Sequence, residues 1–125
     1  MKENKKQKRI IRHKRARAKI FGTANRPRVC VFRSNKHIYI QAIDDVKGIT
    51  TVSLNDINID KLYKTLKKAH KKYSKIKTAA ILGQEFGKIL KEKNIEKAVF
   101  DRSGYKYHGI VKAVAEGIRE SKLII

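Results

Sequence analysis

The stretch FDRSGYKYHG, from Phe100 to Gly109, gathers side chains that could perform catalysis or bind phosphate. A nuclease or another nucleic-acid-modifying enzyme could use Asp101 and His108 as an acid–base pair. However, Asp101 is the only acid in the stretch, whereas two-metal nuclease chemistry requires several converging carboxylates. Ser103 lies in RSG rather than in a GxSxG turn, which disfavours a nucleophilic serine. The sequence therefore favours phosphate binding, and the enzyme stays open as the alternative.

Other patterns that carry chemistry are weak in this chain. The four histidines are scattered, and the single Cys30 provides no zinc-ligand spacing. No GxxxxGK[ST] loop and no strand-linked GxGxxG occurs, so Gly83 and Gly87 predict close helix packing rather than a nucleotide site. We therefore expect no metal, no cofactor and no enzymatic activity. A lone, reduced Cys30 also fits a cytosolic-type compartment.

The charge of the chain is far from balanced. The sequence has 32 lysines and arginines against 11 acids, which gives a net charge of +21 at pH 7. Such an excess repels itself unless a polyanion neutralises it, and nucleic acid is a stronger candidate than an anionic membrane surface. No run of 18 apolar residues is present, so no membrane-spanning helix is predicted.

About half of this charge lies at the N-terminus. Residues 1–28 hold twelve lysines and arginines and one acid, Glu3. Few apolar residues accompany them, so burial could not offset the entropy of ordering this segment. We predict a basic RNA-binding arm over residues 1–22, largely disordered when free, and a single globular domain over residues 23–125.

The domain begins with alternating apolar and polar residues. The segments VCVFRS, HIYIQAID and ITTVSL predict an antiparallel meander with turns at 34–36 and 44–48. In the second strand, alternation places His37, Tyr39 and Gln41 on the face opposite the core. Tyr39 could pack across strands or stack on a base, and the sequence leaves both roles open.

Helical spacing follows the meander. Apolar residues from Leu62 to Ile76 predict a lysine-rich helix that begins at Asp60. Thr78 is predicted to cap a second helix that ends at Asn94, before the short strand KAVF and a last helix from Ile110 to Ser121. The order βββ-α-α-β-α predicts an α/β fold, with a mixed sheet covered by helices.

Two separated motifs, RPRVCVFRSNKHIYIQ and FDRSGYKYHG, carry a specific resemblance. From about Arg12 to Leu123 the chain resembles the large ribosomal subunit protein eighteen family, of bacterial or organellar type. The resemblance implies a structural protein of the 50S subunit that binds 5S rRNA. It further implies that the protein helps to seat this RNA against 23S rRNA in the central protuberance, near ribosomal protein five.

The resemblance also implies the fold, the location and the RNA-binding residues. The expected fold has three layers and a ribonuclease H-like architecture without catalytic acids, and the location is the ribosome of a bacterial cytoplasm or of an organelle. The family often has an arginine where this chain has Ile110. The implied RNA-binding residues lie in the arm (Arg12, Lys14, Arg15, Arg17, Lys19), in the hairpin region (Arg26, Arg28, Arg33, Ser34, Asn35, Lys36, His37, Tyr39, Gln41) and in the loop before the last helix (Arg102, Ser103, Tyr105, Lys106, Tyr107, His108).

Overall fold

The computed structural model describes residues 4–17, 20–58, 74–105 and 107–125. Together these segments form an α/β fold with one four-stranded sheet. In chain order its elements are α1 (Lys5–Arg17), β1 (Arg28–Arg33), β2 (Ile38–Asp44), β3 (Ile49–Asn55), α2 (Lys75–Glu92), β4 (Val99–Asp101) and α3 (Ile110–Glu120).

The sheet is mixed, with the strand order β3-β2-β1-β4. β1 pairs antiparallel with β2, and β2 pairs antiparallel with β3, which confirms the predicted meander. β4 adds to the free edge of β1 in parallel and starts at Val99, slightly later than KAVF predicted. Cys30 pairs with Asp101 in this register, so the start of β1 and the end of β4 lie side by side.

One face of the sheet carries the apolar core. Val31 of β1 and Ile40 of β2 are fully buried there, as strand alternation requires. Helices α2 and α3 supply the opposing layer, with Leu82, Phe86 and Val114 also fully buried. On the inner face of α3, Val111, Val114, Ala115 and Ile118 are buried, as their spacing in the sequence indicates.

Helices α2 and α3 approach each other closely through glycines. A methyl group added at Gly83 would meet the backbone carbonyl oxygen of Val114, and one added at Gly117 would meet that of Ala80. Larger residues would therefore push the helices apart, which confirms that Gly83 serves packing.

The start of α2 differs from its prediction. Ser74 is the N-cap, because its Oγ accepts a 3.2 Å hydrogen bond from the backbone N–H of Lys77, so the Thr78 cap was wrong. Ile76, predicted to be the last apolar residue of the lysine-rich helix, instead lies in the first turn of α2 and is 56% exposed. Asn94 follows the end of α2 with a left-handed φ of 63°, as a helix-ending asparagine does. The predicted lysine-rich helix after Asp60 lies outside the described residues.

Helix α1 lies against the other face of the sheet and differs from the disorder expected of the free arm. Asn4 and Gln7 cap its start reciprocally, with backbone N–H to side-chain oxygen distances of 3.1 and 2.8 Å. The prediction of disorder considered only the low apolar content of the arm. It did not take into account this cap or the polar contacts that attach α1 to the sheet. Within the described residues, no helix is long and apolar enough to cross a membrane.

Candidate nucleic-acid interface

A buried ion-pair cluster lies beneath α1. Arg28, at the start of β1, donates from Nε to Asp45 Oδ2 at 3.0 Å and from Nη1 to Asp101 Oδ2 at 2.9 Å. Asp101 is fully buried and Arg28 is 8% exposed. Burial opposes the charged guanidinium, but the hydrogen bonds and nearby negative charges outweigh it and raise the pKa of Arg28. The cluster therefore joins β1, β4 and the turn after β2.

This geometry corrects the role expected of Arg28. The family resemblance implied that Arg28 is one of the RNA-binding residues of the hairpin region. Its Nη2 is also engaged, donating to Asp45 Oδ1 at 3.1 Å, so the guanidinium is committed to the protein interior. We therefore assign Arg28 to structure and omit it from the interface.

Asp101 likewise has a structural position. Its Oδ1 accepts a 2.9 Å hydrogen bond from the backbone N–H of Ser103, so Asp101 caps the loop that follows β4. Its Oδ2 bonds to Arg28, and this carboxylate is fully buried, whereas His108 is exposed. The acid–base pair of the enzyme alternative is thus not presented to a substrate. Nor does the described part of the chain contain a group of three or more potential metal ligands from histidine, cysteine or acids.

Cys30 borders the same cluster and is free. Burial, followed by the negative charge of Asp101, raises the pKa of its thiol to about 12. The thiol therefore remains protonated at neutral pH.

Asp45 anchors the C-terminal end of α1. Its Oδ2 accepts a 2.7 Å hydrogen bond from the backbone N–H of Gly22, and Arg17 approaches Oδ1 at 3.7 Å. The hydrogen bond from Arg28, with further help from Gly22 and Arg17, lowers the pKa of Asp45. Arg17 also donates to the carbonyl oxygen of Ile20 at 2.9 Å, so its predicted RNA-binding guanidinium is partly engaged.

Tyr105 anchors the middle of α1. Arg9 donates from Nη1 to the Tyr105 hydroxyl at 3.1 Å, and its guanidinium lies 5.0 Å from the ring centre. The Tyr105 hydroxyl donates onward to the carbonyl oxygen of Arg33 at 3.2 Å. Arg12 donates from Nε to the carbonyl oxygen of Gly104 at 2.9 Å. Gly104, at a φ of 79°, lies against the Arg9 backbone where a side chain would collide.

These contacts create a groove between α1 and the rest of the domain, which we call the basic groove. It has a volume of about 790 Å³. No acid occurs among its described lining residues, and six of them are lysine or arginine. The lining comprises Lys5, Lys6, Lys8, Arg9, Arg12, Arg33, Tyr105, His108 and Val111.

Only some of the predicted RNA-binding residues line the basic groove. Arg12, Arg33, Tyr105 and His108 come together there from three separate segments. The others lie elsewhere or outside the described residues. Lys14, Arg15, Arg26 and Arg102 are exposed, Tyr107 accepts a 2.7 Å hydrogen bond from Arg119, and Lys19 and Lys106 are not among the described residues.

Four groove residues were missed from the sequence: Lys5, Lys6, Lys8 and Arg9. A usable signal existed, because Lys5, Arg9 and Arg12 follow spacings of four and three and therefore share one helix face.

The hairpin region forms a second polar surface. Its turn is closed by Ser34, whose backbone N–H donates to the carbonyl oxygen of His37 at 2.9 Å. His37 Nδ1 lies 3.2 Å from Asp56, and the Asn35 carbonyl oxygen accepts a 2.8 Å hydrogen bond from Lys75 Nζ. Ser34, Asn35, Lys36 and Gln41 are exposed.

Tyr39 makes the cross-strand contact that the sequence left open. Its ring centre is 6.0 Å from that of Phe32, at an interplanar angle of 44°. Phe32 itself is 54% exposed and was not selected from the sequence. Strand alternation could have identified it, because Phe32 and Tyr39 are direct cross-strand partners.

Comparisons with known proteins identify the family of this chain. Residues 3–125 match the family described as ribosomal L18 of archaea, bacteria, mitochondria and chloroplast. A large ribosomal subunit protein uL18 from Thermotoga petrophila is 51% identical over 122 residues, which cover 98% of this chain and 96% of the relative. The uL18c protein of Porphyra purpurea is 46% identical, with 99% of each chain covered. The chain therefore belongs to the ribosomal L18 family, a family of structural ribosomal proteins, and is not an enzyme.

Proposed function

We propose that this protein is a structural constituent of the large ribosomal subunit that binds 5S rRNA and helps to attach it to 23S rRNA. Its place would be the central protuberance, near ribosomal protein five, in a bacterial or organellar ribosome. The names of its relatives and the family resemblance support this proposal. Among the structural observations, the basic groove carries it, because six cations without an acid form a site for a polyanion.

A second observation also favours phosphate as the ligand of the groove: two of its cationic side chains are already held in place by the protein. Arg9 and Arg12 are already hydrogen-bonded to Tyr105 and Gly104, so less side-chain entropy is lost when RNA arrives. Arginine also presents a planar fork that matches two phosphate oxygens. Phosphate contacts would supply affinity and orientation, while polar and aromatic side chains would refine position.

We further propose residues 1–22 as an RNA-binding arm and residues 23–125 as the globular domain. The four-stranded mixed sheet with helices supports the ribonuclease H-like, three-layer architecture that the resemblance implies. Arg28 is replaced in the proposed interface by the four groove residues that the sequence missed. The interface then comprises Lys5, Lys6, Lys8, Arg9, Arg12, Lys14, Arg15, Arg17, Lys19, Arg26, Arg33, Ser34, Asn35, Lys36, His37, Tyr39, Gln41, Arg102, Ser103, Tyr105, Lys106, Tyr107 and His108.

The test measures the affinity for a 5S rRNA transcript as a function of salt. If about 6–10 phosphates are contacted, affinity should fall by roughly a thousandfold or more between about 50 and 200 mM salt. Alanine at Lys5, Lys6 and Lys8 together should weaken binding and reduce the slope of log K against log [salt] by about two to three.

A matched control removes the same charge elsewhere. Lys91, Lys93 and Lys97 are exposed beyond the groove, at and after the end of α2. Their triple alanine variant should keep nearly the wild-type salt slope. A flat salt dependence of the wild type would refute electrostatic RNA binding, and equal slopes for the two triple variants would refute the groove as its site.

A further inference from the structure

A second concavity lies on the sheet face opposite the apolar core, and we call it the aromatic recess. It has a volume of about 500 Å³. Its lining combines apolar and aromatic side chains with small polar ones and includes no acid, lysine or arginine. The lining comprises Cys30, Phe32, Ser34, Tyr39, Gln41, Ile43 and Ser103.

The recess exposes an aromatic surface that the fold leaves uncovered. Helix α1 covers the Arg28 end of this sheet face, whereas Phe32, four residues along β1, remains 54% exposed. Contact with Tyr39 at 6.0 Å keeps the two rings side by side as a pair. Gln41 adds an exposed side-chain amide on the neighbouring strand, with both donor and acceptor groups.

The recess is continuous with the basic groove. A smaller cavity between them is lined by Arg9, Ile10, His13, Phe32, Ser103 and Tyr105. It shares Phe32 and Ser103 with the recess, and Arg9 and Tyr105 with the groove. A chain whose backbone follows the cations thus has a direct path for a side group to reach the aromatic pair.

We propose that the aromatic recess receives an unpaired nucleobase of the RNA whose phosphates lie in the basic groove. The base stacks on Phe32, with Tyr39 beside it, and the side-chain amide of Gln41 bonds to its polar edge. Stacking on an aromatic side chain accepts any base, because every base has a π-face. This inference rests on the proposed function and adds a site for a base to the site for phosphates.

Charge favours a nucleobase over an apolar protein segment as the occupant. Arg33 follows Phe32 directly on β1, and its guanidinium lies 5.7 Å from the ring centre of Tyr105. A base arrives with a phosphate that pairs with this cation, whereas an apolar peptide leaves it unpaired. A second copy of this chain, with its own charge of +21, would be repelled.

The first experiment compares Phe32→Ala with Ile124→Ala on a 5S rRNA transcript. Ile124 provides the control, since it is 63% exposed and lies outside the recess, the groove and the proposed arm. Phe32→Ala should lower affinity about tenfold with an unchanged salt slope, because it removes stacking and no charge. On a fully paired RNA duplex, wild type and Phe32→Ala should bind equally, because no base is free to enter.

The second experiment uses the absence of tryptophan from this sequence. Phe32→Trp introduces one indole, which should retain wild-type affinity and lose fluorescence when 5S rRNA binds. Ile124→Trp should show a markedly smaller change. Circular dichroism on each variant confirms that the fold is intact.

The outcomes separate this inference from the proposed function. Wild-type affinity of Phe32→Ala for 5S rRNA would overturn the stacking site, while the salt test on the groove would stand. An equal loss on the paired duplex, or equal quenching of both tryptophan variants, would also overturn it. Unchanged RNA affinity combined with lost binding of another ribosomal protein would assign the recess to a protein partner instead.

Discussion

The two faces of the sheet bury different chemistry. On one face, Val31 and Ile40 pack against Phe86 of α2 without a charged group. On the other, Arg28, Asp45 and Asp101 form a buried ionic cluster beneath α1. The same two-residue alternation of β1 and β2 produces both surfaces.

The comparison shows how one small sheet can support two tasks. Apolar burial on the core face is insensitive to ionic strength, and it provides a rigid base. Helix α1 is instead attached by hydrogen bonds and ion pairs from Arg9, Arg12 and Arg17. Because α1 is attached through polar groups, its basic surface and the aromatic recess remain exposed to solvent.

Removing volume from the core face should have the largest effect on stability. Phe86 is fully buried, so Phe86→Ala should reduce the free energy of unfolding by about 3–5 kcal/mol. Urea unfolding followed by circular dichroism measures this, with the exposed Ile76→Ala as a control within the same helix. Near-equal losses for the two variants would contradict the assignment of the core.

Removing the cation from the ionic face should cost about 3 kcal/mol, for a different reason. Arg28→Met keeps an apolar stem but leaves the buried carboxylate of Asp101 and the partly buried carboxylate of Asp45 without their partner. Adding Asp45→Asn and Asp101→Asn should then recover part of the loss, because the uncompensated charges are removed. Additive losses across this series, measured by urea unfolding, would show that the cluster is not coupled.

The core face was predictable because its signals are local. Alternation along HIYIQAID and the helical spacing from Val111 to Ile118 each identify buried residues within one element. Local signals did not determine the start of α2, where more than one residue type could serve as the N-cap. Ser74 and Thr78 are both residue types that suit a helix cap; the prediction named Thr78, whereas the cap is Ser74.

The ionic face was less predictable because its contacts are distant in sequence. Arg9 and Tyr105, which touch across the groove, are 96 residues apart. Arg28 resembles any other arginine of a basic segment until β4 pairs with β1 and brings Asp101 beside it. The sequence therefore indicated RNA binding from charge, but it could not separate the arginine that supports the sheet from those available to phosphate.

The smallest effect that we predict concerns Asp45 and pH. Asp45→Asn should lower the free energy of unfolding by about 2 kcal/mol at about pH 7, because hydrogen bonds to a charged partner weaken. Since folding lowers the pKa of Asp45, its contribution is present above the unfolded pKa of about 3.9 and is lost as pH falls through the folded value. Wild type and variant should therefore begin to converge in urea unfolding below about pH 4 and coincide only when the pH lies below the lowered pKa of folded Asp45. Glu116→Gln, at an exposed ion pair with Lys112, should change stability by less than about 0.5 kcal/mol throughout. A constant gap between wild type and Asp45→Asn down to strong acid would mean that the carboxylate charge does not hold α1 to the ionic face.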